Sequence, residues 1–157
     1  MAHHEHKYKV AVEWTGNRGT GTSGYRAYGR DHTIAAGAKP VILGSSDAAF
    51  QGDAARWNPE DLMVAAASAC HKLWYLHLCS DAGIIVTRYT DEAEGIMVDG
   101  PIGKLTQIAL RPRVVIRQGG DLALAAQLHH NAHEKCYVAN SVNFPISCDP
   151  VIEHEPA

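Results

Sequence analysis

Residues 58–83 have the sequence NPEDLMVAAASACHKLWYLHLCSDAG, and this stretch predicts one long helix. Asn58 is a good N-cap, Pro59 fits the first helical position, and Glu60 complements the positive end of the helix dipole. Gly83 supplies the C-terminal stop. The segment between these ends is apolar on nearly every side, which is typical of a helix that is buried all round. We therefore expect this helix to lie at the centre of the fold and to contact a partner subunit.

Strands are predicted on both sides of this helix, and a second helix near the end of the chain. In chain order, the predicted elements are strands over 8–14, 25–34 and 39–43, the long helix, strands over 84–98 and 105–116, a helix opening at Asp121, and a strand over 142–152 interrupted by Pro145. This order indicates an α+β fold in which helices pack against antiparallel sheet. No repeat or linker is visible, so we expect one domain over residues 1–157.

The composition excludes several classes of function. Hydrophobic residues make up 46% of the chain and charged residues 20%, which is ordinary for a globular domain. A net charge of -3 without a run of Lys or Arg argues against a nucleic-acid partner. The polar N-terminus does not resemble a signal peptide or membrane anchor, and no apolar run is long enough to span a bilayer. We expect a cytoplasmic protein whose four cysteines stay reduced or cycle.

Two of those cysteines end Ala- and Leu-rich, helix-favouring stretches, namely Cys70 and Cys136. A cysteine on a rigid helix can react with an oxidant and then be resolved by a second cysteine as a disulfide. Activation requires a cation near Cys70, because the N-terminus of its helix is ~18 Å away. Arg30 is the first candidate and Arg26 the second, with Glu60 as the carboxylate that would orient the guanidinium. The alternative is that both cysteines are inert residues of a core.

A different chemistry is indicated on the second predicted helix. His129, His133 and Cys136 recur at i, i+4 and i+7, so they share one helix face. Imidazole and thiolate are ligands that suit zinc, and a fourth ligand could come from Asp149 or His71. Because such pairs of histidines arise easily by chance, a His/Cys metal-binding protein is an alternative to thiol chemistry here.

Together these residues resemble the OsmC/Ohr family, the osmotically inducible protein C and organic hydroperoxide resistance proteins. The resemblance depends on the Asn-Pro-Glu run at 58–60, Cys70 ten residues later, Arg30 in a Gly-Arg-Asp loop, Ala132-His133 with Cys136, and the run NSVNFP at 140–145. It extends over nearly the whole chain and implies an OsmC-like fold, with antiparallel sheets packed around two central helices. It also implies an intertwined homodimer with active sites at the subunit interface.

The same resemblance implies a peroxiredoxin-like organic hydroperoxide reductase, an antioxidant enzyme. In matching positions it gives Cys70 as the peroxidatic cysteine and Cys136 as the resolving cysteine. It gives Arg30 as the activating cation and Glu60 as its holder. A dithiol reductant such as a lipoylated protein would restore the thiols, and this scheme uses no metal, cofactor, nucleic acid or membrane. The competing class is a binding module of the same fold, with inert cysteines and an apolar ligand.

The chain also departs from the family pattern. His71 follows Cys70 where the Ohr branch usually has an apolar residue, and Cys79 and Cys148 are extra. These differences indicate the broader OsmC-like branch. A geometric conflict remains as well, since ten residues of regular helix separate Glu60 from Cys70 by ~15 Å. One guanidinium cannot touch both groups at that distance. We therefore expect either an irregular backbone before Cys70 or an arginine that pairs with only one of the two side chains.

Overall fold

The structure, a computed structural model, describes residues 4–156. In chain order its elements are β1 (Ala11–Trp14), β2 (His32–Ala35), β3 (Ile42–Gly44), α1 (Pro59–Asp81), β4 (Val86–Asp91), β5 (Glu94–Val98), β6 (Lys104–Leu110), β7 (Pro112–Ile116), α2 (Leu122–Lys135), β8 (Ile146–Cys148) and β9 (Val151–His154), with single 3-10 turns at Ala48–Phe50 and Ala139–Ser141. This order confirms the α+β class. The chain divides into two units, residues 1–59 and 60–157. The expectation of one domain stays a prediction.

The first unit contains a three-stranded antiparallel sheet in the order β1-β2-β3. The predicted return strand is shorter than expected, because it begins at His32 rather than at Tyr25. Turns occupy most of the intervening segment. The side chain of Asn17 accepts hydrogen bonds from the backbone N–H groups of Gly19 and Gly21, at 2.9 and 3.0 Å. Local side-chain bonds of this kind compete with strand pairing, which explains why the strand starts late.

In the second unit, α1 is unbroken from Pro59 to Asp81. Of the two alternatives, an irregular backbone before Cys70 is therefore wrong, and an arginine that pairs with only one of the two side chains stays a prediction. Its fully buried residues recur at every fourth position, which places them along one face of the helix: Ala67, His71, Tyr75 and Cys79. The opposite side is open within one chain, since Leu73 is 63% exposed. Burial all round is thus not found in a single subunit. The predicted stop is confirmed, because Gly83 adopts a φ of 73° just after the helix.

Two three-stranded sheets complete this unit, in the orders β4-β7-β9 and β5-β6-β8. The pairs β4/β7 and β5/β6 are antiparallel, whereas β7/β9 and β6/β8 are parallel. The expectation of antiparallel sheets is therefore wrong here, since both sheets are mixed. The cause is that β8 and β9, which follow the α2 crossover, run in the same direction as β6 and β7. In addition, each chain segment predicted as one long strand, over 84–98 and 105–116, divides into halves that join different sheets.

Asp91 accounts for the break between these halves. Its Oδ1 accepts the backbone N–H of Arg111 at 2.7 Å, and its Oδ2 accepts the hydroxyl of Ser68 at 2.5 Å. The next residue, Pro112, has no N–H to donate. The backbone at the break is thus satisfied without a strand partner.

Two apolar clusters form the core of this unit. The larger contains Tyr75, Cys79, Ile84, Val114, Ile116, Ala125, Leu128 and Ala132. The smaller contains Ala67, Ile108, Leu110 and Ile146. The buried face of α1 contributes Ala67 to one and Tyr75 to the other, and His71 lies between them on that face. Among residues 4–156 no helix is long and apolar enough to cross a membrane.

Candidate functional site

Cys70 lies on α1 and is partly buried, and its thiol is free. Cys136 is buried and also free. The sequence predicted that it lies on a helix, and this is wrong, because α2 ends at Lys135. It is the residue that caps the C-terminus of α2, with an extended backbone at φ -68° and ψ 111°. Its N–H donates to the carbonyl of His133 at 3.2 Å, and its carbonyl accepts from Asn140 at 3.0 Å. These bonds fix the position of the Cys136 side chain.

The structure places the two cysteines close enough for their thiols to interact. Burial raises the pKa of the Cys136 thiol, and the neighbouring Cys70 thiol raises it further. The backbone N–H of Ala139, which donates to Cys136 Sγ at 3.5 Å, opposes the rise but does not cancel it. Cys136 therefore holds a proton at neutral pH and lies where it can react with the Cys70 sulfur. This part of the predicted site is assembled within the second unit.

Arg30 belongs to the first unit, where its side chain folds over its own loop. Nη1 donates to the carbonyl of Tyr28 at 2.7 Å. The guanidinium carbon lies 4.0 Å from the ring centroid of Tyr28 and 4.4 Å from that of Tyr25, which are cation–π distances. Its Nη2 is buried and has no hydrogen-bond partner in the part of the chain that the structure describes. Arg26, the alternative, is exposed.

The loop that holds Arg30 is itself closely packed. The indole N–H of Trp14 donates to the carbonyl of Gly29 at 2.8 Å, and Gly29 N–H donates to the carbonyl of Gly16 at 2.7 Å. A Cβ at Gly16 would lie 2.0 Å from the Gly29 oxygen, so only glycine fits there. Glu60, assigned to the other unit, is the second residue of α1 and is partly buried. The roles of Arg30 and Glu60 stay predictions.

A second cluster of reactive side chains was not predicted as a set. Nε2 of His71 lies 2.9 Å from Nδ1 of His129, and Cys148 Sγ lies 3.5 Å and 3.8 Å from these two atoms. Both histidines are buried and Cys148 is partly buried. This His71–His129–Cys148 cluster is, among residues 4–156, the group with suitably placed ligand atoms for a metal ion.

Three elements deliver these side chains. His71 projects from the buried face of α1, and His129 from the buried face of α2. Cys148 ends β8, whose parallel pairing with β6 sets Cys148 opposite Leu110. The His129 ring also stacks on Tyr75, with centroids 3.7 Å apart. The cluster is thus held by packing on several sides.

Burial governs the protonation of this cluster. It lowers the pKa of His71 to about 4, an effect that His133 increases and Asp91 opposes. Burial and the neighbouring His71 lower the pKa of His129 to about 3. Burial raises the pKa of Cys148 to about 12. At neutral pH both rings are therefore uncharged and the thiol is protonated.

Helical spacing predicted His129, His133 and Cys136 as metal ligands, and the structure groups different residues. His129 belongs to the observed cluster, but Cys136 lies near Cys70, and Cys148 supplies the sulfur of the cluster. His133 lines a surface cleft beside the cluster. The sequence offered one signal, since His71 recurs at four-residue spacing with Ala67, Tyr75 and Cys79 and so shares their helix face. The position of Cys148 depends on strand register, which spacing alone does not reveal.

The chain has an α+β fold with two helices, mixed sheets and two neighbouring free thiols. Comparison with known proteins assigns this fold to a family. A family model described as OsmC-like protein matches residues 51–150. The chain belongs to the OsmC-like family. No curated protein matches it significantly.

Solved structures agree with this assignment. An OsmC-like protein of unknown function from Vibrio cholerae is 30% identical, with a TM-score of 0.84 over 94% of this chain and 100% of that one. An organic hydroperoxide resistance protein OsmC from Legionella pneumophila is 16% identical, with a TM-score of 0.68 over 94% and 97% of the two chains. The organic hydroperoxide resistance protein of Bacillus subtilis is 18% identical, with a TM-score of 0.60 over 94% and 98%. The last two show the fold alone.

Proposed function

We propose that the chain is a thiol-dependent peroxidase that reduces organic hydroperoxides. The observation that carries this proposal is that the free thiols of Cys70 and Cys136 lie close enough to interact. Cys70 is the more accessible of the two and is the nucleophile, whereas Cys136 is buried and keeps its proton. Two proteins of the same fold have names that refer to organic hydroperoxide resistance, and this proposal extends that chemistry to the present chain.

The reaction transfers two electrons from the cysteines to the peroxide. The Cys70 thiolate attacks the distal peroxide oxygen, the O–O bond breaks, and the alkoxide takes a proton and leaves as an alcohol. Cys70 becomes a sulfenic acid. The Cys136 sulfur then attacks the Cys70 sulfur, its proton leaves with the hydroxide as water, and a disulfide forms. An external dithiol reduces this disulfide by exchange and becomes a disulfide itself.

In this proposal Arg30 supplies positive charge for the Cys70 thiolate and the departing alkoxide, and Glu60 orients Arg30. The unbroken helix adds a constraint, because Glu60 and Cys70 lie ~15 Å apart along α1. An arginine held by Glu60 therefore cannot reach Cys70 of the same helix. A homodimer removes the conflict if Arg30 and Glu60 of one subunit complete the site around Cys70 of its partner.

Apolar exposure supports the dimer. All residues of β1 are exposed in the single chain, including Val12 at 64%. On α1, Leu73 is 63% exposed. A sheet edge and a helix side of this character are typical of surfaces that a partner covers.

The decisive experiment counts thiols in chelator-treated, reduced protein before and after one equivalent of cumene hydroperoxide. Of the four cysteines, the wild-type chain should lose two and form one disulfide. Cys70→Ser should lose none, while Cys79→Ser, which removes a buried cysteine outside the pair, should behave as wild type. A wild-type chain that loses no thiols is not a peroxidase, and an inert binding module becomes the better description.

A further inference from the structure

The His71–His129–Cys148 cluster takes no part in the proposed peroxidase chemistry, which uses Cys70 and Cys136. Its donor atoms are two imidazole nitrogens and one cysteine sulfur, contributed by α1, α2 and β8. These ligand types are those that zinc prefers in proteins. All three atoms lie within 4.8 Å of one another, without any rearrangement of the backbone.

The spacing of the donors matches a tetrahedral zinc ion. With Zn–N near 2.0–2.1 Å and Zn–S near 2.3 Å, tetrahedral ligands lie about 3.3 Å apart for two nitrogens and about 3.6 Å for nitrogen and sulfur. The observed separations are 2.9 Å for the nitrogens and 3.5 and 3.8 Å to the sulfur. Each therefore lies within about 0.4 Å of the spacing that the ion requires.

A hydrogen bond between the two rings occupies part of this space. The ring planes of His71 and His129 are inclined by only 9°, with centroids 5.2 Å apart, so the two nitrogens face each other along this bond. For an ion to enter, each ring tilts toward Cys148, and the proton of the hydrogen bond moves to the opposite nitrogen of the ring that carries it. The Cys148 thiol proton is released, because the ligand is the thiolate.

The opposite ring nitrogens show that this arrangement is not explained by fold stability. His71 Nδ1 and His129 Nε2 are buried and have no hydrogen-bond partner within residues 4–156. Buried polar groups without partners cost free energy of folding and call for another explanation. A pair of buried histidines that carries such a cost is a candidate for a functional site.

An ion could reach the cluster from the surface. A cleft of about 630 Å³ is lined by His129 and Cys148, together with His130 and His133. Two of the three ligand residues, His129 and Cys148, therefore line this cleft. Sites with three protein ligands and one open position keep water or another small ligand in the fourth place.

We propose that His71 Nε2, His129 Nδ1 and Cys148 Sγ bind one zinc ion, whose fourth ligand comes from the cleft. This site is separate from the cysteine pair, so it stands whether or not the chain is a peroxidase. It also gives a purpose to two departures of this sequence from the family pattern, His71 after Cys70 and the additional Cys148.

The test uses full-length, reduced protein stripped with a chelator and titrated with Co²⁺, a spectroscopic substitute for zinc. We expect one equivalent to bind with a thiolate-to-cobalt charge-transfer band, and Zn²⁺ to displace it. Cys148→Ser should lose the band and bind at least about 100-fold more weakly, since even outer partners of metal ligands contribute 10–100-fold. His130→Asn, in the same cleft, and Cys79→Ser should retain both.

X-ray absorption of the zinc-loaded wild-type chain provides a measurement that needs no variant. One sulfur near 2.3 Å with nitrogen or oxygen neighbours near 2.0–2.1 Å is expected. The proposal is overturned if zinc shows no sulfur neighbour, if Cys148→Ser retains the charge-transfer band, or if the stripped wild-type chain binds no Co²⁺.

Discussion

Nε2 of His71 lies 2.9 Å from Nδ1 of His129, between the two apolar clusters of the core. The bond joins two groups that burial keeps uncharged. Removing one ring leaves the other with an additional unsatisfied nitrogen, whereas removing both replaces a polar pair with apolar contacts. This bond therefore predicts that the effects of substituting His71 and His129 on the free energy of unfolding are strongly non-additive.

In the presence of a chelator, His71→Leu and His129→Leu should each lower the free energy of unfolding by about 1–3 kcal/mol. The double variant should recover most of this loss and come within about 1 kcal/mol of wild type. Urea unfolding of the four proteins measures the coupling. Additive losses in the double variant would contradict the predicted coupling.

Cys136→Ser should reduce one equivalent of organic hydroperoxide and then stop. Its Cys70 sulfenic acid has no neighbouring thiol and accumulates, or proceeds to the sulfinic acid. Mass spectrometry of the variant after one turnover should show added oxygen on the peptide that contains Cys70. Continuous turnover with a dithiol would show that another group resolves the sulfenic acid, and Cys79 would be the next residue to test.

The raised pKa of Cys136 has a signature in its alkylation. Burial is the main cause of the rise, so it persists in Cys70→Ser. Below a thiol's pKa the thiolate fraction increases about tenfold per pH unit. In that variant the rate of alkylation of Cys136 by iodoacetamide should therefore keep increasing about tenfold per pH unit up to about pH 10. A rate that levels off above about pH 9, as for a thiol with an ordinary pKa near about 8.5, would be inconsistent with the structure.

Arg30→Met should slow the reaction of Cys70 with hydroperoxide by about 100-fold, a typical cost of removing one electrostatic donor from an active site. Arg26→Met is the matched control and should react at nearly the wild-type rate. Stopped-flow measurement of single turnovers separates this step from reduction by the dithiol. The reverse ranking of the two variants would transfer the role to Arg26.

Complementation tests whether the site is shared between subunits. Cys70→Ser and Arg30→Met chains, co-expressed with different tags and purified as a mixed dimer, should recover activity. One of the two sites would then combine an intact Cys70 with an intact Arg30 from the other chain. Sedimentation should give twice the chain mass of 17.0 kDa. A monomer, or a mixed dimer with no recovered activity, would exclude the shared site.

The parts of the fold that could be predicted from sequence are those with local causes. Pro59 at the first position of α1 and Gly83 after its last turn fixed the helix ends, and Asp121 caps α2 as expected. The break of each long strand could not be predicted, because it depends on Asp91 meeting Arg111 across the fold. Helical spacing likewise grouped His129 with Cys136.

In the candidate site, too, features with local causes could be predicted and those that depend on contacts across the fold could not. Cys70 and Cys136 are paired by the family resemblance, and their thiols lie near each other in the structure, but their roles stay predictions. The contact of His71 with Cys148 spans 77 positions of the chain and depends on the pairing of β6 with β8. Single-sequence patterns carry no information about such pairings, because nothing local distinguishes one register from another.

Cys70 and His71 are consecutive residues of α1, and the helix turns them about 100° apart. One therefore contacts Cys136 and the other contacts His129 and Cys148. A single residue gained or lost between Pro59 and Cys70 would rotate both side chains away from their partners in one event. The two sites thus depend on the same rotation of α1 about its axis, so a change that reorients Cys70 also reorients His71.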